Sequence, residues 1–294
     1  MKISIITFNE RNGKILEEEF RTLGIEADTY SGSELVLEVG SEMDVKHEER
    51  SLLEAPLLLL PDYGRIEFFY QLACIAEKKV PTLPSAEILY LLMHRALMQK
   101  FLRDHRIPVR EIHLFSREHA GRAVLKTVKM PVILTLPSGR RVLVKNIETF
   151  TDLIGSLDKS AVVAVEKPLK PKFLIHALVT EEEMVSVKKS GEKLNTISVP
   201  EDVRRISRKI MELLSVPFCY ITFIPYKNSF LVNEVELSCD FALLQKITGK
   251  NVARMIAESV RLKIKEAEAK RVERFFRIFS AVERWWNETR DTRP

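Results

Sequence analysis

The stretch SFLVNEVELS, residues 229–238, decides how the rest of the chain is interpreted. Its side chains alternate as in a β-strand, so Val235 and Leu237 face one side while Glu234 and Glu236 face the other. Two neighbouring carboxylates at the end of a core strand are hard oxygen ligands of the kind that magnesium prefers. The alternative is a solvated face of an antiparallel sheet, which the same alternation permits.

The N-terminal part of the sequence predicts a lobe built on a parallel sheet. Residues 2–8, 15–23 and 25–30 have the patterns of a strand, a helix and a strand, without the Gly-rich fingerprint of a dinucleotide site. The apolar run 57–60 is typical of a parallel strand covered on both faces. The charged residues 40–50 are expected to form a loop.

The remainder of the chain predicts one long helix followed mainly by antiparallel strands. Ser85 is a suitable N-cap for a helix that continues through Leu102. Two short apolar runs within residues 131–145 flank a turn that contains Pro and Gly, which predicts a hairpin. A further helix is expected to begin at Thr248.

Length and composition restrict the class of protein. A chain of 294 residues exceeds one ordinary core and should form two or three lobes. It has no apolar run of about 20 residues and no signal peptide, so we expect a cytoplasmic protein that does not enter membranes. The three cysteines lack zinc spacing, and 30% charged residues with only three glutamines are typical of thermophilic proteins.

The net charge of +5 does not indicate a nucleic-acid-binding body. From Arg261 onward ten Lys/Arg residues stand against six Asp/Glu, so +4 of that charge lies in the tail. Residues 263–294 predict a charged amphipathic helical arm. Its apolar stripe consists of Val272, Phe275, Phe276, Phe279, Val282 and Trp286. We expect this stripe to dock against the body or against a second subunit in a homo-oligomer; a membrane-surface helix is the alternative.

The order of these elements resembles the ATP-grasp superfamily, in particular the RimK-type glutamate ligases and their amino-acid-ligase relatives. The resemblance implies an α/β fold of three lobes, with boundaries at residues 1–83, 84–160 and 161–262, followed by the arm at 263–294. The first lobe is a parallel-sheet α/β lobe, the second carries a flap hairpin over ATP, and the third carries the metal ligands.

The resemblance also implies which residues contact the nucleotide. They are Arg95, Thr135, Gly139, Arg141, Lys145 and Glu166. Arg95 and Thr135 stand where the family has a Lys, and Glu166 matches an acid beside the ribose or adenine. Arg141 and Lys145 are flap cations that could replace the lost Lys, because a phosphate needs cations on its oxygens.

Two further sets of residues follow from the resemblance. The metal ligands are Thr222, at a usual Asp position, Glu234, at the invariant Glu, and Glu236, at a usual Asn. The residues expected near the reacting carboxyl group are His176, Lys188, Lys189 and Asn195. The alternative for His176 is a satisfied core histidine, which is the commoner role on an apolar strand, and the alternative for Arg95 is a surface cation.

The implied function is a carbon–nitrogen ligase with ATP and magnesium as cofactors. Its partners would be a small carboxylate and an amine, or the tail of a protein. The altered phosphate contacts leave two alternatives open. One is a nucleotide-binding or regulatory pseudoenzyme, and the other is a structural subunit that acts through its basic arm.

Overall fold

A computed structural model describes residues 2–40, 42–61, 65–119, 129–137 and 140–266. The predicted apolar stripe of the arm lies outside these residues, and so does the flap glycine Gly139. Within these ranges the chain forms four β-sheets with helices packed on them, a mixed α/β architecture as expected. None of the helices in the described ranges combines the length and apolarity needed to cross a bilayer.

The strands and helices are numbered in chain order. The strands are β1 (Lys2–Thr7), β2 (Glu26–Ser31), β3 (Leu35–Val39), β4 (Met43–His47), β5 (Arg50–Ser51), β6 (Leu58–Leu59), β7 (Thr82–Leu83), β8 (Ile112–Ser116), β9 (Val132–Thr135), β10 (Arg141–Val144), β11 (Val162–Glu166), β12 (Leu174–Thr180), β13 (Met184–Ser190), β14 (Lys193–Ile197), β15 (Phe218–Tyr226) and β16 (Ser229–Glu236). The helices are α1 (Glu10–Thr22), α2 (Ile66–Ala76), α3 (Ala86–Met93), α4 (Arg95–Asp104), α5 (Ile147–Gly155), α6 (Glu201–Leu214), α7 (Phe241–Thr248) and α8 (252–266).

The first sheet is parallel and has the order β2-β1-β6-β7. The apolar run 57–60 supplies its central strand β6, which is buried as predicted. Helix α1 packs closely on this sheet at Gly13. A Cβ atom there would lie 2.5 Å from the Thr29 methyl and 2.7 Å from the Thr7 methyl. The absence of a side chain at Gly13 therefore sets the distance between helix and sheet.

The prediction of a loop at residues 40–50 is wrong. Strands β3, β4 and β5 form an antiparallel sheet there, in which Leu37 pairs with Val45. Val45 is fully buried, while Lys46 and Glu38 form an ion pair of 2.8 Å on the other face. A sheet with one wet face needs few apolar residues, so the charged composition of this segment was misleading.

The second large unit is a four-stranded antiparallel sheet with the order β10-β9-β11-β8. The predicted hairpin is confirmed, because Arg141 pairs with Thr135. One face packs on α5 through Phe150 and Ile154. The other face is directed away from that core and belongs to the candidate site.

The third unit is a five-stranded antiparallel sheet with the order β14-β13-β12-β15-β16, and α6 packs on one face. Two helix predictions need correction. The helix expected from Ser85 to Leu102 is interrupted at His94, which separates α3 from α4. Thr248 ends α7 instead of beginning a helix, because Gly249 follows with φ +69°, the left-handed conformation that closes helices.

One apolar cluster connects the parallel sheet to the five-stranded sheet. It includes Ile5 of β1, Phe20 of α1, Ile221 of β15 and Ile256 of α8, all fully buried. The small sheet has a separate core of its own. The first and last parts of the chain therefore share one core, and the polar contacts described below join the small sheet to them.

We expect Gly13→Ala to destabilise the protein by about 1–3 kcal/mol, because the new methyl group overlaps two strand side chains. Gly155→Ala is the matched control. Gly155 also lies in a helix, but a Cβ atom there meets nothing within 4 Å, so this change should be neutral or stabilising by up to about 1 kcal/mol. Urea denaturation of both variants measures the difference, and equal stabilities would contradict the close helix–sheet contact.

Candidate functional site

A buried carboxylate surrounded by three arginines lies where the small sheet meets helix α4. Glu166 ends β11 and is 0% exposed. Its oxygens accept from Arg95 Nε at 3.2 Å and Arg95 Nη2 at 3.4 Å. Arg110 Nη1 lies 3.2 Å away and Arg141 Nη2 lies 3.6 Å away. A buried charge requires such partners, since an unpaired carboxylate would cost several kcal/mol.

Strand alternation explains why Glu166 points toward the arginines. Val163 and Val165 of β11 enter the core above α5, so Ala164 and Glu166 face the opposite side. The register places Thr135 and Arg141 on that same side. Three of the residues predicted to contact the nucleotide, Glu166, Thr135 and Arg141, therefore lie on one face of the small sheet.

Arg95 connects this face to the five-stranded sheet. Its Nη1 lies 3.5 Å from Glu234 Oε1, while its Nε and Nη2 bind Glu166. One guanidinium thus contacts an acid from each of two sheets. Arg95, which is mostly buried, is not the surface cation that the alternative interpretation required.

Arg110 belongs to the same cluster and was missed by the sequence analysis. It is 6% exposed and donates to Asn233 Oδ1 at 3.0 Å and to the carbonyl of Lys167 at 2.8 Å. Burial lowers the pKa of Arg110, while the charge of Glu166 opposes that shift. No motif distinguishes this arginine in the sequence. In the structure, the residue before it, Val109, pairs with Val232 and so brings Arg110 to β16.

Glu234 and Glu236 share one face of β16, opposite to that of Val235, as their alternation predicted. Val235 is buried on the other side, and the pairing of β15 with β16 sets Thr222 beside Glu234 and Tyr220 beside Glu236. Burial raises the pKa of Glu236 to about 7, and the neighbouring charge of Glu234 adds to the shift. The two acids thus form a site of negative charge that a cation would relieve.

These residues fit a magnesium ion in part. Two carboxylates are suitable hard ligands, and magnesium completes its octahedron with water and substrate phosphates. Thr222 supplies a hydroxyl instead of a third charge, and its Oγ1 is already hydrogen-bonded to His176 Nδ1 at 3.0 Å. In the part of the chain that the structure describes, no group of three or more His, Cys, Asp or Glu side chains is placed to hold a metal.

His176 lies between Thr222 and Tyr220 on the same face. Its ring stacks on Tyr220 with centroids 5.6 Å apart and an interplanar angle of 13°. Burial, and then the charge of Lys189, lowers the pKa of His176, so the imidazole is neutral at pH 7. Its Nε2 is buried and has no hydrogen-bond partner among the described residues.

The register separates two of the predicted catalytic residues from the others. Lys188 pairs with Ile175 and with Asn195, so these three side chains share the face opposite to His176. Lys188 Nζ instead lies 4.3 Å from the centroid of the Phe173 ring. Lys188 and Asn195 are therefore not brought together with His176, because a one-residue change of position reverses the face of a strand. Lys189 lies on the His176 face and is exposed.

The cleft-facing side of the small sheet is apolar and uncovered. Leu114, Leu143 and Val162 lie on it by register and are each about half exposed. Thr135 is beside them, and its Oγ1 is buried without a partner among the described residues. Lys145 follows β10 and is exposed. This face combines apolar surface with cations at its edge.

We expect Glu166→Gln to destabilise the protein by about 3–5 kcal/mol, since three guanidiniums lose their buried counter-charge. Arg141→Gln removes the longest contact to Glu166, which comes from a partly exposed side chain. It should lower the free energy of unfolding by less than about 1 kcal/mol. Urea denaturation at pH 7 compares the two variants. Similar losses would show that the cluster does not depend on the carboxylate.

Glu236 should make stability fall as pH rises. Its pKa is about 7 in the folded protein against an ordinary 4.5, so the folded state holds the proton more tightly. This contribution is complete below about pH 4.5 and is lost as pH rises through about 7. With allowance for solvent screening, Glu236→Gln should be more stable than wild type by about 1–2 kcal/mol at pH 8.

The advantage of Glu236→Gln should disappear near pH 4.5, where both side chains are neutral. Urea denaturation in EDTA at the two pH values measures it, and Glu192→Gln, on an exposed turn, is the matched control. An advantage independent of pH would show that burial does not shift this carboxyl group.

No protein-family model matches the sequence, and no curated protein matches it significantly. Solved structures do resemble the fold. The crystal structure of a RimK-domain ATP-grasp protein from Sphaerobacter thermophilus aligns with a TM-score of 0.73 and 20% identity over 88% of this chain and 99% of that one. The ATP-grasp ligase PsnB, complexed with a precursor variant, Mg and ADP, aligns with a TM-score of 0.63 and 12% identity over 90% and 98%.

A third structure extends the comparison to another organism. It is a Chryseobacterium gregarium ATP-grasp ligase in complex with ADP and with leader and core peptide, and it aligns with a TM-score of 0.64 and 14% identity over 87% of this chain and 95% of that one. At these identities the likeness concerns the fold. The chain therefore has the ATP-grasp fold, in the arrangement found in a RimK-domain protein and in ATP-grasp ligases solved with a precursor or with leader and core peptide.

Proposed function

We propose that this protein is an ATP-dependent ligase that joins a carboxylate to an amine. The position of Arg95 carries the proposal. This guanidinium links Glu166 on the small sheet to Glu234 on the five-stranded sheet, so a candidate phosphate-binding cation and a candidate metal ligand lie side by side. A site that transfers phosphoryl groups requires that combination.

The small sheet would bind the nucleotide. The exposed apolar side chains Leu114, Leu143 and Val162 offer a flat surface for a purine. Arg95 and Arg141 would lie at the phosphates, because both are at the edge of this face and arginine binds phosphate through paired N–H donors. Thr135 contributes no charge, so we assign its usual role to Arg141.

Glu234 and Glu236 would hold magnesium together with oxygens of the nucleotide. The ion, when bound, neutralises charge on the transferred phosphoryl group. His176 would position Thr222 beside this site, because its Nδ1 is committed to the threonine hydroxyl and its Nε2 is enclosed. Lys189 is a further cation on this face, among the described strands, that could approach the carboxylate substrate.

The reaction would proceed in two steps. The terminal phosphoryl group of ATP is transferred to the substrate carboxylate, which yields an acyl phosphate and ADP. The amine then forms the C–N bond, the C–O bond to phosphate breaks, and the amine proton passes to solvent. Because similar ATP-grasp ligases were solved with peptides, we propose a peptide or amino acid as the source of one reacting group.

A specific observation favours a second candidate, a nucleotide-binding protein without turnover. Arg95 and Arg141 are both ion-paired with Glu166, so a phosphate must compete with a buried carboxylate for them. Each lost contact to the developing phosphoryl charge can be worth several kcal/mol. Nucleotide binding could therefore persist after phosphoryl transfer is lost.

Calorimetric titration of ATP and ADP, with and without magnesium, tests the metal site. Wild type should bind at least about tenfold more tightly with magnesium, because two carboxylates repel the phosphates unless a cation lies between them. The double variant Glu234→Gln, Glu236→Gln should lose this dependence. A double variant of two exposed acids, Glu148→Gln and Glu192→Gln, should retain it.

Equal affinity for nucleotide in all these cases would contradict the metal site. Release of ADP in the presence of pooled amino acids and peptides then separates the two candidate functions. Magnesium-dependent binding with ADP release supports the ligase. The same binding without release supports the non-catalytic nucleotide-binding protein.

A further inference from the structure

The guanidinium of Arg95 uses all three of its nitrogens on carboxylates. Nε and Nη2 lie 3.2 Å and 3.4 Å from the two oxygens of Glu166, and Nη1 lies 3.5 Å from Oε1 of Glu234. Glu166 is fully buried, whereas the Glu234 side chain is 44% exposed. Breaking a buried pair is costly and an exposed pair contributes little, so Nη1 is the nitrogen that can change its partner most readily.

Arg95 is the counter-ion of the acid pair on β16. Among the described residues, Glu234 forms no other ion pair and Glu236 forms none. All three side chains line one cavity of about 180 Å³ between α4 and β16. Arg95 is the only cationic residue that lines it in the part of the chain that the structure describes. A cation that approaches the two carboxylates therefore meets a positive charge that already contacts one of them.

This positive charge is fixed in place. The side chain of Arg95 is 18% exposed, and its Nε and Nη2 atoms are held by Glu166. If Arg95 moved away, the buried carboxylate would lose two hydrogen bonds. A guanidinium and a divalent cation on one carboxylate repel each other, and the repulsion grows where water is partly excluded. A divalent cation alone therefore competes poorly with Arg95 for Glu234.

We propose that Arg95 keeps divalent cations off Glu234 and Glu236 until nucleotide phosphates bind. A phosphate oxygen that accepts from Nη1 replaces Glu234 as the partner of that nitrogen, while Nε and Nη2 remain on Glu166. The phosphate charge offsets the guanidinium, and Glu234 is left without a counter-ion. The two carboxylates then attract a divalent cation. Arg95 therefore makes metal binding depend on the nucleotide.

The inference rests on the proposed function, because it takes Glu234 and Glu236 as the metal ligands. It adds an order of binding, since two carboxylates without a fixed counter-ion would attract a divalent cation on their own. Arg141 is the matched cation for comparison. It lies 3.6 Å from Glu166 and is 32% exposed, and in the described structure it forms no ion pair with either acid of β16.

The test measures Mn²⁺ binding to the full chain without nucleotide, by electron paramagnetic resonance of the free ion at pH 8. Mn²⁺ prefers the same oxygen ligands as magnesium and gives a spectroscopic signal. Arg95→Gln should bind Mn²⁺ at least about tenfold more tightly than wild type, because the repelling charge is gone. Arg141→Gln removes an equal charge that does not contact Glu234, so its affinity should change by less than about threefold.

Arg95→Gln is expected to fold, since Glu166 keeps Arg110 at 3.2 Å and Arg141 at 3.6 Å. Adding Glu234→Gln and Glu236→Gln to this variant should abolish the gain in affinity, which would assign the gain to these two acids. Equal gains in Arg95→Gln and Arg141→Gln would overturn the inference. The absence of a gain in Arg95→Gln, or a gain that survives the loss of both acids, would also overturn it.

A second measurement needs no variant of Arg95. Water-proton relaxation follows Mn²⁺ bound to wild type with and without ADP, after correction for the complex of Mn²⁺ with ADP in buffer. We expect binding that is lost in Glu234→Gln, Glu236→Gln only when ADP is present. Such binding at equal affinity without ADP would overturn the inference and leave the metal site of the proposed function intact. Binding that depends on the two acids in neither condition would overturn both.

Discussion

The candidate site depends on one buried carboxylate and the three guanidiniums around it. Glu166 has no exposed surface, and its position at the end of β11 is tolerated only because Arg95, Arg110 and Arg141 meet it. The arginines come from three different parts of the chain. The small sheet has a core of its own, so this charged cluster largely determines how its open face is presented to helix α4 and to β16.

The two acids of the cluster explain why arginine suits position 95, where the ATP-grasp family has a lysine. Arg95 contacts two carboxylates at once, on Glu166 and Glu234, through separate nitrogens of its planar fork. A lysine concentrates its charge at one atom and could not span them in the same way. The three arginines and these two acids leave one net positive charge. In the proposed function that charge would attract a phosphate, which would have to share donors that the acids already use.

The sequence predicted best those features that repeat along a strand. The alternation of Glu234 and Glu236 with apolar neighbours, and the hairpin that pairs Arg141 with Thr135, were both correct. It failed where a single residue decides the outcome. Lys188 and His176 lie on the neighbouring strands β13 and β12, but their side chains point to opposite faces of the sheet. Only the register between the two strands shows this. Arg110 was missed because its burial depends on partners from distant segments.

A β-bulge directs the two acids toward the cleft. Phe223 pairs with Val232, and Ile221 pairs with Val235, so both valines face the core although they are three residues apart. An unbroken strand would place Val232 and Glu234 on the same face and would bury the acid. The register shift between Thr222 and Phe223 inserts Asn233, which is held by Arg110 at 3.0 Å.

The extra residue therefore reverses the alternation just before Glu234, and its side chain is fixed by the same arginine that binds Glu166. The apolar spacing of Val232 and Val235 was the sequence signal for this break, since an uninterrupted strand does not bury residues three apart on one face. The cluster around Glu166 and the orientation of the Glu234 and Glu236 side chains thus depend on each other. Arg110 connects them, and this connection places the candidate metal ligands beside the candidate phosphate cations.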